Sequence, residues 1–146
     1  MQYINKQDLC GCKFDAITIN EAIEIVKNNI GKATIQGCGV NVDQLIKINK
    51  NFEFSKIINK CDLILADGAP IVWMSRLFNK SIPERVPAID LYEKLLPLSE
   101  IEGYKVFLLG AQEEILQLAI SKYKIKYPNL KIVGFHNGYY NDKGES

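Results

Sequence analysis

Short apolar runs alternate with helix-length amphipathic segments along this chain, and this alternation restricts its fold more than any other feature. The runs 62–66 and 105–109 are each followed closely by a glycine and then by a helical pattern. Apolar strands that alternate with amphipathic helices are typical of a parallel sheet covered by helices. The sequence therefore predicts an α/β fold, with a mostly parallel, Rossmann-like sheet that carries helices on both faces.

The predicted elements follow one another without a repeat or a linker. Thr18 and Glu21 have the spacing of a capping box, which predicts a helix that ends at Gly31. The other patterns predict helices near 43–48, 52–60, 71–78, 89–99 and 113–126, and strands at 33–36, 62–66, 105–109 and 131–135. Because no Gly-, Ser- or Pro-rich tract interrupts them, all 146 residues are expected to form one domain.

Charge and cysteine content exclude several classes of function. Eighteen Lys and Arg residues balance seventeen Asp and Glu residues, so the chain lacks the positive field that holds nucleic acid. No apolar run approaches the roughly 20 residues that span a bilayer, and the start lacks a signal-peptide core, which favours a cytoplasmic location. The four cysteines and one histidine lack zinc-site spacing. We therefore predict no metal site, and cysteines that act as small apolar residues.

In parallel α/β sheets, ligands bind beyond the carboxyl ends of the strands. Asp67 and Gly68 directly follow the predicted strand 62–66, and Pro70 marks the start of the next helix. A carboxylate at this position can act as a general base on a ligand. It can equally cap the following helix by accepting backbone N–H bonds. The residues alone leave both interpretations open.

Two further glycine segments are predicted at strand ends. Gly37-Cys38-Gly39, followed by Asn41, would let the backbone approach a ligand, or would form a tight turn in which Asn41 begins a helix. Gly110 and Ala111 form a strand-to-helix turn whose N–H groups can accept a phosphate. Each pattern is weak alone, so these segments are candidates for ligand contact only in combination with Asp67.

Arginine occurs in this chain only as Arg76 and Arg85. Arg85 lies in a short segment flanked by prolines and can hold a phosphate or carboxylate through two hydrogen bonds. Asp90 offers Arg85 an internal partner instead, or caps the helix that follows. The nearby apolar residues 71–74 are expected to form an exposed surface through which the chain self-associates.

Four blocks of the chain, taken together, resemble the WecG/TagA/CpsF glycosyltransferases. The blocks are Asn41, the run C-D-L-I-L-A-D-G-A-P-I-V-W at 61–73, E-R-V at 84–86 with Asp90, and V-F-L-L-G-A at 106–111. The resemblance implies inverting transfer of an N-acetylmannosamine-type or related sugar from a UDP-sugar to an undecaprenyl-diphosphate-linked saccharide. Such transfer serves the synthesis of bacterial teichoic acid or capsule. The resemblance further implies a homo-oligomer and a metal-independent reaction without a cofactor.

Carried over residue by residue, the resemblance makes Asp67 the catalytic base. The substrate-binding residues it implies are Asn41, Gly68, Arg85, Asp90, Gly110 and Ala111. The chain departs from the family pattern at Gly39, where the family usually has Thr, and at Ala88, where it usually has Gly.

Family members also continue past Ser146 with a basic, membrane-facing segment. The resemblance therefore implies that these 146 residues are a truncated core with an incomplete donor site and little turnover of their own. It implies that the longer protein lies at the inner face of the plasma membrane, in contact with it through that segment. The alternative is a non-catalytic module that binds a nucleotide sugar, or serves assembly, with the same core.

Overall fold

The computed structural model describes residues 5–139, which form six strands and six helices. In chain order they are β1 (Lys6–Leu9), β2 (Cys12–Asp15), α1 (Ile19–Asn29), β3 (Gly37–Val40), α2 (Val42–Lys50), α3 (Phe52–Asn59), β4 (Leu63–Ala66), α4 (Ala69–Leu77), α5 (Ala88–Glu102), β5 (Lys105–Leu109), α6 (Glu113–Lys126) and β6 (Lys131–His136). The predicted α/β class is confirmed. None of these helices combines the length and the apolar character needed to cross a bilayer.

The strands pair in twos and do not form one continuous sheet among residues 5–139. β3 and β4 are parallel, as are β5 and β6, and each pair is joined through helices. β1 and β2 instead form an antiparallel hairpin. The predicted parallel pairing is therefore confirmed, but the strands are only four to six residues long and the sheets are smaller than predicted.

The β1–β2 hairpin is an element that the apolar periodicity did not predict. Its two-residue turn has positive φ at Cys10 (50°) and at Gly11 (77°). Positive φ at both central positions is the type I′ pattern, whose twist matches that of paired strands. A glycine in the second turn position was the available sequence signal. The hairpin places Leu9, Cys12 and Phe14 in the core.

β3 lies further along the chain than predicted. It spans Gly37–Val40 and includes both glycines that the sequence analysis assigned to a turn after 33–36. Glycine weakens a strand, so its presence favoured a turn. The pairing of all four residues with β4, whose side chains are all buried, overrides that preference. The loop after β3 is therefore shorter than predicted and begins at Asn41.

The described residues fold as two compact units, which divide between Tyr92 and Glu93. That all 146 residues work as one domain stays a prediction. The core of the first unit draws on the hairpin, both parallel strands and three helices, and consists of Leu9, Cys12, Phe14, Val40, Leu45, Ile48, Ile58, Cys61, Ile64, Ala66, Ile71, Val72 and Ile82.

The second unit contains the β5–β6 pair and α6. Its buried apolar residues include Leu96, Leu108, Leu116 and Ile120. Four apolar side chains of the strands remain between 41% and 62% exposed, namely Phe107, Leu109, Val133 and Phe135. In the described part of this unit the strands are therefore less fully covered than their continuous apolar pattern predicted.

A buried carboxylate ties the hairpin to β4. Asp15 is 2% exposed, and its Oδ2 accepts a hydrogen bond of 2.6 Å from the Ile64 N–H. Lys6 Nζ lies 3.0 Å from Oδ2 and 2.9 Å from Oδ1. Oδ1 has no aligned hydrogen-bond donor among residues 5–139, so the Lys6 charge compensates its burial. No local sequence signal pointed to Asp15.

The apolar residues 71–74 do not form one exposed surface, which corrects the prediction. Ile71 and Val72 are buried and Met74 packs partly against the core, whereas Trp73 is 65% exposed. Four consecutive helical residues spread over roughly 300° of the helix circumference, so they cannot share one face. Leu77, one turn beyond Trp73, is the other large apolar residue exposed on α4. Formation of a homo-oligomer stays a prediction.

Three of the four cysteines belong to the core of the first unit, and all four are free thiols. Burial raises the pKa of the Cys12 thiol from 9.0 to about 12. Burial, together with a hydrogen bond to Cys61, raises the pKa of Cys38 to about 12 as well. The interpretation of these three residues as small apolar side chains is confirmed, while Cys10 is exposed.

We expect iodoacetamide at pH 8 to alkylate Cys10 rapidly in the folded chain and the other three cysteines only after denaturation. Cys10 is exposed, whereas Cys12 and Cys61 are buried, and the raised pKa of Cys12 and Cys38 keeps those thiols protonated. Peptide mapping by mass spectrometry measures the labelling, and rapid native labelling of Cys12 would contradict the buried arrangement.

The free energy of unfolding should also fall as pH rises above 9.0, because the unfolded thiols lose protons that the folded ones keep.

Candidate active site

Three segments of the first unit converge at Asp67. The Asp67 N–H donates to the carbonyl of Val40 at 3.0 Å, which joins the ends of β3 and β4. The Val86 N–H donates to the carbonyl of Ala66 at 2.8 Å, which brings the segment 83–88 alongside the end of β4. Asp67 is half-buried between them. Residues far apart in sequence thus surround one carboxylate at a strand end, where α/β proteins bind ligands.

The Asp67 carboxylate does not cap the helix that follows it. The N-cap of α4 is Gly68, and α4 has no side-chain cap hydrogen bond. Asp67 Oδ2 instead accepts a long hydrogen bond of 3.4 Å from the N–H of Ala88, the first residue of α5. An ionised carboxylate has about four acceptor sites, and one long bond uses little of that capacity. The interpretation of Asp67 as the α4 cap is wrong, and its oxygens can accept a proton from a ligand.

Gly68 allows the chain to turn sharply between β4 and α4. Its φ of 140° and ψ of 142° lie in a region that glycine adopts and other residues rarely do. Pro70 then stands in the first turn of α4, as the sequence predicted. This turn places the Asp67 side chain at the corner between strand and helix. A role of Gly68 in contacting substrate stays a prediction.

Gly39 and Ala88 both lie against Asp67. A Cβ atom built on Gly39 would lie 2.9 Å from Asp67 Oδ2 and 3.3 Å from Ala88 Cβ. The absence of a side chain at Gly39 therefore leaves the space that the carboxylate occupies. The two positions at which the resemblance implies a departure from the family pattern are neighbours in space, a relation that their separation in sequence concealed.

Asn41 begins α2, as one of the two sequence interpretations predicted. Its Oδ1 accepts from the Gln44 N–H at 3.0 Å, and Gln44 Oε1 accepts from the Asn41 N–H at 2.9 Å, which completes a capping box. The Asn-x-x-Gln spacing carried this signal in the sequence. Asn41 directly follows Val40, which bonds to the Asp67 backbone. Binding of substrate by Asn41 stays a prediction.

Arg85 and Asp90 form an exposed ion pair on either side of Ala88 in the chain. Arg85 Nη2 lies 3.7 Å from Asp90 Oδ2, and the two side chains are 58% and 45% exposed. Exposed pairs of this kind contribute about 0–1 kcal/mol, so an anionic ligand can displace Asp90 at little cost. Both sequence interpretations of Arg85, the internal pair and the anion contact, are therefore compatible with this geometry.

Glu84 has a structural role that the sequence analysis missed. Its Oε1 accepts a hydrogen bond of 2.6 Å from the N–H of Ile19, at the start of α1. The two residues lie 65 positions apart, so no local pattern reveals the contact. This bond holds the segment that carries Arg85 and Ala88 in place. Glu84 thereby steadies the surroundings of Asp67 from a distance.

Gly110 and Ala111 belong to the second unit. Both have positive φ, 116° and 63°. The Gly110 N–H donates to the His136 carbonyl and the Gly138 N–H donates to the Ala111 carbonyl, each at 3.0 Å. The turn is therefore tied to the segment after β6. Two glutamates occupy the first turn of α6, and their charges oppose a phosphate there. The role of this turn in donor binding stays a prediction.

A groove of about 320 Å³ also lies in the first unit, and Asp67 is not among the residues that line it. Its walls are mostly apolar and come from the hairpin turn, α2 and α4, through Cys10, Val42, Leu45, Ile46, Asn49, Lys50 and Met74. Across residues 5–139, no three Cys, His, Asp or Glu side chains gather as metal ligands.

Comparison with known proteins agrees with the resemblance seen in the sequence. The chain is 31% identical over 104 residues to the N-acetylglucosaminyldiphosphoundecaprenol N-acetyl-beta-D-mannosaminyltransferase of Bacillus subtilis (strain 168), an alignment that covers 71% of this chain and 41% of that protein. It is 27% identical over 137 residues to the Staphylococcus aureus (strain NCTC 8325 / PS 47) protein of the same name, over 92% of this chain and 54% of the relative.

The chain thus spans about half the length of the curated relatives it matches. The sequence model of the Glycosyl transferase WecG/TagA/CpsF family matches residues 7–146. That match includes every block on which the resemblance rested. The chain therefore belongs to the WecG/TagA/CpsF family of glycosyltransferases.

Proposed function

We propose that this chain forms the core of a transferase that moves an N-acetylmannosamine-type sugar from a UDP-sugar to undecaprenyl-diphosphate-linked N-acetylglucosamine. The names of the Bacillus and Staphylococcus relatives supply the acceptor and the type of sugar. The observation that carries the proposal on this chain is Asp67. Its half-buried carboxylate stands at a strand end inside the family match, with acceptor capacity to spare.

In the proposed reaction Asp67 takes the proton of the attacking acceptor hydroxyl. The hydroxyl oxygen forms a bond to C1 of the sugar from the face opposite UDP, while the bond between C1 and the diphosphate oxygen breaks. The electron pair of that bond leaves with UDP, and the configuration at C1 inverts. The reaction needs one base and no covalent intermediate, and Asp67 is proposed as that base.

Arg85 is proposed to meet the charge that develops on the leaving diphosphate. Its guanidinium can exchange the exposed carboxylate of Asp90 for a phosphate that it grips through two hydrogen bonds. Such charge contacts are worth most in the transition state, where the charge is largest. We propose that the reaction needs no metal. Unchanged activity in EDTA is the expected result.

We place the reaction at the inner face of the plasma membrane, because the undecaprenyl chain keeps the acceptor in the lipid. The UDP-sugar would reach the site from the cytoplasm. The contact with the membrane is proposed to come from a basic segment of a longer protein, as the family resemblance implies.

The proposal is tested by UDP release with UDP-N-acetylmannosamine and a soluble, short-prenyl diphosphate-linked N-acetylglucosamine. Two proteins are compared: the 146-residue chain, and a chimera that joins it to the remaining C-terminal sequence of the Bacillus relative. We expect acceptor-dependent release by the chimera and little by the shorter chain. A chimera that binds the UDP-sugar but releases no UDP in the presence of acceptor would contradict the proposal and favour a non-catalytic binding module.

A further inference from the structure

We propose that Gly39 is a positioning residue for Asp67. The missing side chain at position 39 creates the space in which the Asp67 carboxylate is held against the start of α5. Gly39 itself touches no substrate in this proposal and acts through the carboxylate. The catalytic consequence rests on the proposed role of Asp67 as base, whereas the steric coupling between the two residues stands apart from it.

The distances show how little room Gly39 leaves. An added Cβ would lie 2.9 Å from Asp67 Oδ2 and 3.1 Å from Asp67 Cβ. Rotation of the carboxylate would relieve the first contact but not the second, because the position of Asp67 Cβ is set by the backbone. The backbone is in turn held by the bond between the Asp67 N–H and the Val40 carbonyl, one residue beyond Gly39.

Ala88 closes the other side of the same space. Its N–H donates to Asp67 Oδ2 at 3.4 Å, and its methyl group would lie 3.3 Å from the added Cβ at position 39. Ala88 cannot easily retreat, because the Val86 N–H is bonded to the Ala66 carbonyl. With the Ala88 methyl group opposite, a side chain at position 39 therefore forces the carboxylate off the Ala88 N–H or separates the strand ends. Either change misplaces the proposed base, and small misplacements of a reacting group are costly. Glycine at position 88, which the resemblance gives as the usual family residue, lacks that methyl group and so leaves room for the usual Thr at position 39.

Gly37 provides a matched control in the same strand. It lies two residues before Gly39 and so on the same face of β3. A Cβ added at Gly37 would meet Leu63 Cβ at 3.8 Å, an ordinary contact distance. Gly37→Ala and Gly39→Ala thus make the same chemical change on the same face of β3. Only the methyl group added at position 39 would lie against Asp67.

The first test is a double-mutant cycle on stability, which needs no enzymatic activity. Urea unfolding is measured for the chain, Gly39→Ala, Asp67→Gly and the double variant, with Gly37→Ala as control. We expect Gly39→Ala to lower the folding equilibrium constant by about 10- to 100-fold, as overpacking does, and Gly37→Ala to change it by less than about threefold. In the Asp67→Gly background the cost of Gly39→Ala should shrink at least fivefold, because both the oxygen 2.9 Å away and the Cβ 3.1 Å away are gone.

The proposal is overturned if Gly39→Ala lowers the folding equilibrium constant by the same factor with and without the Asp67 side chain. It is also overturned if neither Gly39→Ala nor the double variant folds. Folding of the double variant where Gly39→Ala alone fails to fold supports the proposal.

The second test is catalytic and uses the chimera. There we expect Gly39→Ala to lower kcat about tenfold or more with little change in the donor KM, and Gly37→Ala to leave both near wild type. A kcat equal to that of Gly37→Ala overturns the positioning role. If Asp67 proves not to be the base, the stability cycle still tests the steric coupling between Gly39 and Asp67.

Discussion

Replacing Asp67 with Asn is expected to lower the rate of sugar transfer by about 10²- to 10⁴-fold, the usual contribution of a general base. Asn has nearly the same shape as Asp, and its side-chain oxygen can still accept the Ala88 N–H. It cannot take a proton from the acceptor hydroxyl. The fold should therefore survive while the chemistry is lost. The measurement is kcat for UDP release by the chimera at saturating donor and acceptor.

Asp62→Asn is the matched control for this experiment. Asp62 stands at the amino end of the same strand, where its carboxylate accepts a hydrogen bond of 2.8 Å from the Gln36 N–H. Ligands are expected at the opposite, carboxyl end of the strand. Asp62→Asn should therefore leave kcat near wild type. If Asp67→Asn also keeps near-wild-type turnover, the proposed mechanism is wrong.

The second large effect is expected on stability. Asp15→Ala should lower the free energy of unfolding by about 3 kcal/mol, because it leaves the buried Ile64 N–H without an acceptor and removes the partner of Lys6. The hairpin would lose its charged link to β4. Urea unfolding followed by circular dichroism measures the change, which should appear as a lower midpoint at an unchanged slope.

Glu24→Ala is the control for Asp15→Ala. Glu24 pairs with Lys27 at 3.4 Å on the surface of α1, and its side chain is 60% exposed. Exposed pairs contribute about 0–1 kcal/mol, so this substitution should shift the midpoint little. If Asp15→Ala lowers the free energy of unfolding no more than Glu24→Ala does, the buried carboxylate contributes no more to stability than a surface ion pair.

Much of the fold follows from local signals in the sequence. The capping box of Thr18 and Glu21 predicted α1, and the structure shows both of its hydrogen bonds. The apolar run before Asp67 predicted β4, and periodicity predicted β5 and α6 with the bounds that they have. These elements depend on interactions within a few residues, so their signals stand in the sequence itself.

The errors arise where pairing between distant segments overrides local preference. β3 contains two glycines that argue for a turn, yet the buried strand β4 draws them into a sheet. The two parallel pairs are confirmed, but the extent of a sheet depends on which strand edges meet. Periodicity contains no information on that choice.

The sequence by itself determined that Asp67 ends a strand and that Gly68 and Pro70 turn the chain into a helix. Only the tertiary structure decided what the carboxylate touches. The Ala88 N–H comes from 21 positions away, and Gly39 reaches Asp67 because β3 pairs with β4. Such contacts depend on how strands and loops pack in space, whereas sequence patterns report interactions along the chain. The candidate base was therefore visible in the sequence, and the residues that position it were not.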